Sequence, residues 1–330
     1  MATYKGIQGY SVQTLASDPS PAASAEGQLW FNSTSSTYKT AVGGTGAWAS
    51  GGAMTNPRAQ DATSGTQTAA IISGGTQGAV TLQNAETYNG TAWTEVGDIN
   101  TGRYLSQGAG TQTAALNISG NTGVVYAGVE EYNGTAWTEI ADMIVGRSQG
   151  ASCGTTTAAI MFGGENPTPT NWTNNWNKTE SYNGTSWTEV GNLTSGRVQL
   201  AGSGISTSAL AAAGYNVPYT GVVEQWNGTS WTETTNVNTA LEGRAGFGTS
   251  STSGTVTGGR SPYSGNTESW NGTSWTEVAD LATARYNPQG AGTATVGILA
   301  GGTPPPGSAG STVVEEWNGA PIGIVTVTVT

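Results

Sequence analysis

One nine-residue phrase recurs five times and constrains the fold of this chain more than any other feature. It reads YNGTAWTEV from Tyr88 and returns in closely similar form from Tyr132, Tyr182, Trp226 and Trp270. Asn-Gly between two runs of alternating polarity is typical of a β-hairpin, and it predicts a two-residue type I′ turn with positive φ at both residues. In that register Tyr88 lies opposite Thr91 and Glu86 opposite Trp93, so the tryptophan can pack against a neighbouring sheet.

The tryptophan of this phrase belongs to a longer repeat. Six tryptophans stand 44 to 50 residues apart, namely Trp48, Trp93, Trp137, Trp187, Trp231 and Trp275. An arginine follows each of them, 13 residues later for Arg244 and ten residues later for Arg58, Arg103, Arg147, Arg197 and Arg285. After the arginine come a run of small residues, usually a glycine pair, a loop and the next hairpin. Four short strands in a period of about 44 residues predict one blade of a β-propeller, with these tryptophans and arginines as structural anchors.

The order of a glycine pair, an aromatic residue and a tryptophan resembles the kelch motif. The resemblance extends from about Trp48 to Asn318, and it weakens where Ser119 and Ala213 replace the first glycine of the pair. It implies an all-β, kelch-like propeller whose loops between second and third strands gather on one face. Six arginine-led strands and six aromatic third strands predict six blades.

The two ends of the repeat region compete for one place in the ring. The phrase decays after Trp317, whereas Trp48 has no third strand before it in its own period. We therefore expect the segment around Trp48 to complete the sixth blade, with residues 322–330 as the alternative. Closing the ring removes exposed sheet edges, which otherwise invite aggregation.

These considerations divide the chain into three parts. Residues 1–40 are predicted to form a leader and attachment segment with a hairpin, residues 41–319 the propeller, and residues 320–330 a C-terminal strand. The strict alternation in IVTVTVT is typical of a half-buried strand. We expect that strand to pair outside the ring, either with the leader hairpin around Trp30 and Tyr38 or with another chain.

Charged residues follow the repeat as well. A glutamate stands two residues before each aromatic residue of the third strands, at Glu86, Glu130, Glu180, Glu224, Glu268 and Glu315. Together with the six arginines they predict six structural ion pairs, because a planar guanidinium can satisfy several buried acceptors. A ring of arginines that binds an anion is the alternative. The net charge of −11 disfavours nucleic acid as a partner.

Composition restricts the chemistry of the chain. It has no histidine and one cysteine, Cys153, so the sequence predicts no metal site, no cofactor and no Ser-His or Cys-His nucleophile. No apolar run is long enough to predict a membrane span. The recurring Asn-Gly-Thr also matches the glycosylation acceptor pattern, but a hairpin turn explains the same residues. We interpret the chain as non-enzymatic, with a polysaccharide-degrading enzyme as the more distant alternative.

The loops between second and third strands differ most from blade to blade, so we expect function there. Their aromatic and basic residues predict a ligand-binding face formed by Trp172, Trp176, Tyr215, Tyr219, Arg260 and Tyr263. Exposed rings beside amide side chains suit stacking on sugars. The alternative is that these rings cap the loops and bind no ligand.

The N-terminal stretch MATYKGIQGYSVQTLASDPSPAASAEGQLWFNSTSSTYKTAV resembles the leader of kelch-like structural proteins of tailed bacteriophages, especially marine ones. The resemblance implies a tail-fibre, tail-associated or capsid-surface protein of the virion, assembled in the host cytoplasm and released extracellularly. We expect other virion subunits to bind the leader, through Tyr4, Ile7 and Tyr10, and the C-terminal strand. A host-surface glycan or protein would bind the loops. A purely structural virion module with no receptor role is the alternative.

Overall fold

The structure is a computed structural model that describes residues 12–19, 28–43, 46–166, 176–307, 310–319 and 322–327. Within these ranges the regular elements are β-strands, and no helix is long and apolar enough to cross a membrane. The chain falls into two compact units. The terminal unit is Met1–Gly46 with Gly319–Thr330, and the repeat unit is Ala47–Asn318.

The terminal unit begins with three strands, β1 (Gln13–Leu15), β2 (Leu29–Asn32) and β3 (Thr37–Gly43). β1 runs parallel to β2, and β2 and β3 form an antiparallel hairpin. Trp30 is 2% exposed, and its indole N–H donates to a carboxylate oxygen of Asp18 at 3.2 Å. A buried tryptophan with a satisfied N–H thus anchors the hairpin.

The repeat unit is built from short strands. They are β4 (Ala47–Ser50), β5 (Ala62–Thr66), β6 (Ala69–Ser73), β7 (Thr76–Gln77), β8 (Val80–Thr81), β9 (Ala85–Tyr88), β10 (Trp93–Val96), β11 (Gln107–Thr111), β12 (Ala114–Ile118), β13 (Val129–Tyr132), β14 (Trp137–Glu139), β15 (Ala151–Thr155), β16 (Ala158–Phe162), β17 (Thr179–Tyr182), β18 (Trp187–Glu189), β19 (Ala201–Ile205), β20 (Ser208–Ala212), β21 (Val223–Trp226), β22 (Trp231–Thr234), β23 (Ala245–Ser250), β24 (Ser253–Thr257), β25 (Thr267–Trp270), β26 (Trp275–Glu277), β27 (Gln289–Thr293), β28 (Val296–Ala300) and β29 (Val314–Asn318). β7 and β8 form a separate hairpin, and the other strands form six four-stranded sheets.

These six sheets are the blades of a propeller. Blade 1 consists of β5, β6, β9 and β10; blades 2 to 5 follow as β11–β14, β15–β18, β19–β22 and β23–β26; blade 6 combines β27, β28 and β29 with β4. The first strands of the blades neighbour one another in a closed cycle from β5 through β27 and back to β5. They are therefore the innermost strands, and the repeat unit is a six-bladed β-propeller, as predicted.

The ring is closed by the first strand of the repeat unit. β4 pairs antiparallel with β29, where Trp48 lies opposite Trp317 and the two rings are 5.2 Å apart. The segment around Trp48 thus completes blade 6, which confirms the predicted closure. In the terminal unit, β30 (Ile322–Thr326) pairs antiparallel with β3, so the C-terminal strand is paired with the leader hairpin rather than with a blade.

The hydrophobic core is a set of clusters between adjacent blades. Trp187 of blade 3 packs with Leu116, Val129 and Met143 of blade 2. The same arrangement recurs for Trp93, Trp137, Trp231 and Trp275. Each blade buries its apolar surface against the blade before it, so a large aromatic side chain is required once in every period.

The hairpins between third and fourth strands differ from the predicted register. In blade 1 Trp93 lies opposite Tyr88, and Glu95 lies opposite Glu86. The rings of Trp93 and Tyr88 stack with their centroids 5.0 Å apart. The predicted pairing of Glu86 with Trp93 is wrong, because the loop between the strands contains four residues rather than two.

An asparagine side chain explains the wider loop. Oδ1 of Asn89 accepts hydrogen bonds from the backbone N–H groups of Thr91 and Ala92 at 3.0 and 2.9 Å. Gly90 has a φ of 89°, whereas Asn89 is not among the residues with positive φ, so the type I′ prediction is wrong. The same side-chain bonds recur at Asn133, Asn183, Asn227 and Asn271. Asparagine caps the loop amides here, which supports the interpretation of Asn-Gly-Thr as a turn.

Candidate functional site

Strand direction decides which loops share a face of the propeller. Because the strands within each blade are antiparallel, the loops between second and third strands emerge at the same end as the connections between blades. We call this end the loop face. Its loops are residues 74–84, 119–128, 163–178, 213–222, 258–266 and 301–313, of which 167–175 and 308–309 lie outside the described residues.

Six buried ion pairs tie the connections between blades to the blades themselves. Nη2 of Arg58 lies 2.7 Å from a carboxylate oxygen of Glu86, and the same carboxylate accepts the N–H groups of Thr55 and Asn56. The equivalent pairs are Arg103 with Glu130, Arg147 with Glu180, Arg197 with Glu224, Arg244 with Glu268 and Arg285 with Glu315. Each guanidinium is buried against a glutamate of its own blade, which favours the structural interpretation over an anion-binding ring.

Blade 5 forms its ion pair from a different backbone position. Leu241 stands where the other blades have arginine, and its carbonyl accepts the N–H of Gly214 as the arginine carbonyls do elsewhere. Arg244 stands three residues later in the sequence, yet its Nη1 lies 2.9 Å from Oε1 of Glu268. Burial lowers the pKa of the Arg244 guanidinium, and Glu268 opposes that shift. The longer spacing from tryptophan to arginine therefore preserves the pair.

A closed ring of backbone hydrogen bonds surrounds the propeller axis at the loop face. One residue per blade has a φ between 48° and 63° and donates its N–H to the carbonyl of the preceding member: Gln60, Leu105, Gln149, Gln199, Gly243 and Asn287. The N···O distances run from 2.7 to 3.4 Å. Residues other than glycine keep this sparsely populated conformation only where the surrounding structure imposes it. The ring therefore marks a rigid centre.

An axial cavity of about 50 Å³ is lined by residues from all six blades. Gln107, Ser152 and Gln289 line it with polar residues, and Arg244, which also lines the cavity, has its guanidinium bound to Glu268. A polar volume of this size suits a few water molecules. The axial cavity is therefore too small to hold a substrate.

The predicted aromatic face is partly buried. Trp176 is 9% exposed rather than open to solvent, and its ring lies 6.4 Å from that of Tyr215. Tyr215 in turn contacts Tyr219 edge to face at 5.5 Å. Tyr219 is 39% exposed, while Trp172 lies outside the described residues. We call Trp176, Tyr215 and Tyr219 the aromatic cluster: its inner members support the exposed one, so the predicted exposure of Trp176 is wrong.

Arg260 lies over an aromatic ring on the same face. Its guanidinium is 4.0 Å from the ring centroid of Tyr286, and its Nε donates to Glu242 at 2.7 Å. The Arg260 side chain is 43% exposed. Burial raises the pKa of Tyr286 to about 12, although Arg260 opposes the shift. Sequence analysis missed the part played by Tyr286; Glu242 was detectable as an acid outside the repeat pattern.

Tyr263 belongs to the same loop as Arg260 but is not part of this stack. Its hydroxyl lies 3.5 Å from the position that a Cβ on Gly307 would occupy. Tyr263 is half-buried. It therefore lies at the boundary between the loops of blades 5 and 6.

A cleft of about 640 Å³ opens on the opposite half of the loop face, between blades 6, 1 and 2. Its polar lining residues are Gln60, Thr76, Thr81, Tyr104, Thr122 and Thr303. None of them was predicted as a site residue. Their signal in the sequence is weak, because threonine and glycine are common in loops of every kind.

Two acids outside the repeat pattern, Asp61 and Glu165, have raised pKa values. Burial raises the pKa of Asp61 to about 7, although Arg58 opposes the shift, and Oδ2 of Asp61 has no hydrogen-bond partner among the described residues. Burial also raises the pKa of Glu165 and of the buried thiol of Cys153. Across the described parts of the chain, no group of three acidic or cysteine side chains could hold a metal ion.

Comparison with solved structures identifies the type of propeller. The structure of YjhT, a kelch-type propeller, matches with a TM-score of 0.67 at 13% sequence identity, covering 84% of this chain and 99% of YjhT. In all, 336 chains of solved structures match, so the fold is shared by many proteins and does not select a function. No protein-family model matches the sequence, and no curated protein matches it significantly. At 13% identity the likeness shows the fold alone, which is that of a kelch-like β-propeller.

Proposed function

We propose that this chain is a non-enzymatic protein of a bacteriophage particle whose propeller binds a host-surface glycan or protein on its loop face. The observation that supports binding is the exposed ring of Tyr219 on a preformed support. Tyr215 holds that ring edge to face, and Trp176 packs behind Tyr215. A ring held in one orientation loses little conformational entropy when a ligand stacks on it.

Arg260 and Tyr263 extend this surface onto blade 5. Glu242 and Tyr286 restrain the Arg260 side chain, while its Nη atoms make no hydrogen bond to other described residues. These two Nη groups of Arg260 can donate hydrogen bonds to the oxygens of a sugar or of a protein backbone. The surface thus combines a stacking ring with directional donors, as carbohydrate and protein recognition both require.

A glycan array with substituted proteins tests this role. We expect the wild type to bind at least one surface glycan and Tyr219→Ala to weaken that binding about tenfold, the loss expected from one stacking ring. Val296→Ala is the matched control, because Val296 is a comparably exposed apolar residue outside the loop face. Full binding by Tyr219→Ala would move the site away from the aromatic cluster. An array with no positive glycan would favour a purely structural virion module.

The proposed place on a phage particle rests on the leader resemblance. The suggested anchors Tyr4, Ile7 and Tyr10 lie outside the described residues. Deleting residues 1–25 is expected to leave a folded propeller that no longer enters particles, as measured by antibody labelling of purified virions. Normal incorporation of the truncated chain would place the attachment surface on the blades. Release of sugars from host polysaccharide by the purified protein would instead support the enzyme alternative.

A further inference from the structure

The cleft between blades 6, 1 and 2 has the dimensions of a ligand site. Its volume of about 640 Å³ falls within the range of pockets that bury small ligands. The hairpin of β7 and β8 supplies Thr76 and Thr81, the loop of blade 2 supplies Thr122, and the loop of blade 6 supplies Thr303. Loops from three blades therefore form its walls, so the cleft does not depend on one loop alone.

Most polar side chains of the cleft have no hydrogen-bond partner among the described residues. The side chains of Gln60, Thr76, Thr81, Tyr104 and Thr303 make no hydrogen bond to any other described residue. The hydroxyl of Thr122 makes one long bond, 3.4 Å, to the carbonyl of Val124. On the other half of this face the Nε of Arg260, by contrast, is bonded to Glu242. Hydroxyl and amide groups without protein partners are free to bond a ligand.

The lining contains no charged residue, although the whole chain carries a net charge of −11. An anionic ligand would find no counter-charge there, and it would be repelled by the surrounding protein. A purely apolar ligand would strip water from hydroxyl groups without replacing their hydrogen bonds. The chemistry that matches is an uncharged molecule rich in hydroxyl groups.

Backbone and ring surfaces complete that match. Glycines at positions 78, 123, 307 and 310 and alanines at 59 and 79 line the cleft, so a ligand can approach the backbone closely. Tyr104 supplies the aromatic ring against which the apolar face of a sugar can stack. We propose that this cleft binds a neutral saccharide of one to three units.

The proposal rests on the proposed binding role of the loop face but assigns a site separate from the aromatic cluster. Calorimetry of the full chain with neutral trisaccharides of glucose, galactose, mannose and N-acetylglucosamine tests it, with a uronate-containing trisaccharide for comparison. We expect one neutral sugar to bind and the uronate to bind more weakly. Tyr104→Ala should weaken binding about tenfold, and Ala79→Trp, at an exposed position on the rim, should abolish it by filling the cleft.

Two variants serve as controls. Thr94→Val removes an exposed hydroxyl from the outer strand of blade 1 and should not alter binding. Val296→Ala shortens an exposed apolar side chain outside the loop face and should not alter binding either. Thermal unfolding of each variant shows whether it is folded, and Thr303→Val, which removes one hydroxyl at constant shape, replaces Ala79→Trp if the latter does not fold.

The outcomes separate this site from the proposed function. Absence of binding by every neutral sugar in the panel overturns the cleft proposal, as does unchanged binding by folded Ala79→Trp and Tyr104→Ala. Binding lost in Tyr219→Ala but kept in both cleft variants supports the loop-face role and overturns the cleft as its site. Preference for the uronate over all neutral sugars also contradicts the proposal, because the lining offers no positive charge.

Discussion

The two halves of the loop face are built on the same blades and differ in what occupies the space between their loops. Across blades 3 to 5 side chains fill it: Trp176, Tyr215 and Tyr219 contact one another in sequence, and Arg260 covers Tyr286. Across blades 6, 1 and 2 the loops carry threonine and glycine, and a cleft of about 640 Å³ remains. Side-chain volume in the loops, rather than the strands, therefore decides whether this face is packed or open.

The residues that stand out in the sequence are not the ones that border the cleft. The conspicuous aromatic residues were predicted to be the ligand-binding surface, but the largest described one, Trp176, is used to support its neighbours. Inconspicuous residues such as Thr76 and Thr303 border the cleft of about 640 Å³. Large side chains on adjacent loops attract one another and exclude solvent, whereas small ones leave room for a ligand.

The largest expected effect concerns the scaffold that the two halves share. Trp187→Ala should lower the free energy of unfolding by about 3 to 5 kcal/mol, since Trp187 is buried between blades 2 and 3 and its N–H donates to the carbonyl of Ala141 at 3.1 Å. Chemical denaturation measures the loss. Thr188→Ala, at an exposed position on the same strand, should change stability by less than about 0.5 kcal/mol. A loss below about 1 kcal/mol for Trp187→Ala would mean that the repeat tryptophan is not a packing anchor.

The second effect is a pH dependence of stability that arises from Asp61, a buried acid on the blade 1 side of the loop face. The pKa of Asp61 is raised from 3.8 to about 7 in the folded state, so between those values the unfolded chain releases the proton first and wild-type stability falls as pH rises. Asp61→Asn cannot titrate. The difference in free energy of unfolding between Asp61→Asn and wild type should therefore shift in favour of the variant by roughly 2 to 4 kcal/mol between about pH 4 and about pH 7.

Denaturation at several pH values provides the measurement for Asp61. Asp98→Asn is the control, because Asp98 is exposed and should leave the pH dependence of wild type unchanged. Parallel stability curves for wild type and Asp61→Asn would show that the acid keeps an ordinary pKa in the folded protein.

A smaller effect is expected at the end of the propeller opposite the loop face. Gly184 has a φ of 89°, a conformation that a β-branched residue resists, so Gly184→Val should cost about 1 to 3 kcal/mol of stability. Thermal unfolding detects the change, and Thr185→Val in the same loop is the matched control. Because Gly184 lies at the opposite end of the blade from both halves of the loop face, the folded variant should still bind sugar. Unchanged stability would show that the hairpin tolerates another loop conformation.

The smallest effect is expected from the C-terminal strand. Deleting residues 323–330 removes most of β30, which pairs with β3 in the terminal unit, whereas blade 6 is completed by β4. The free energy of unfolding of the propeller should therefore change by less than about 0.5 kcal/mol, while incorporation into particles weakens. Unfolding of the propeller on this deletion would contradict the closure through Trp48 and would alter both halves of the loop face together.

The repeat in the sequence was sufficient to predict the blades and their closure. Each blade depends on contacts that recur within one period, such as the pair of Arg58 with Glu86 and the tryptophan packed on the blade before it. The decay of the phrase after Trp317 identified the incomplete blade, and β4 fills that place. Periodic local signals determine these features because identical contacts require identical residues at a fixed spacing.

The tertiary structure alone decided the hairpin register, the burial of Trp176 and the position of the cleft. The register depends on side-chain bonds from Asn89 that replace a type I′ turn, and Trp176 is covered by Tyr215 from the next blade. The cleft exists because ring closure brings blade 6 against blade 1, where the N–H of Arg58 bonds the carbonyl of Ser311 at 3.1 Å. No local pattern encodes the gap left between loops so distant in sequence, since it is set by the volumes of side chains that meet only when the ring is complete.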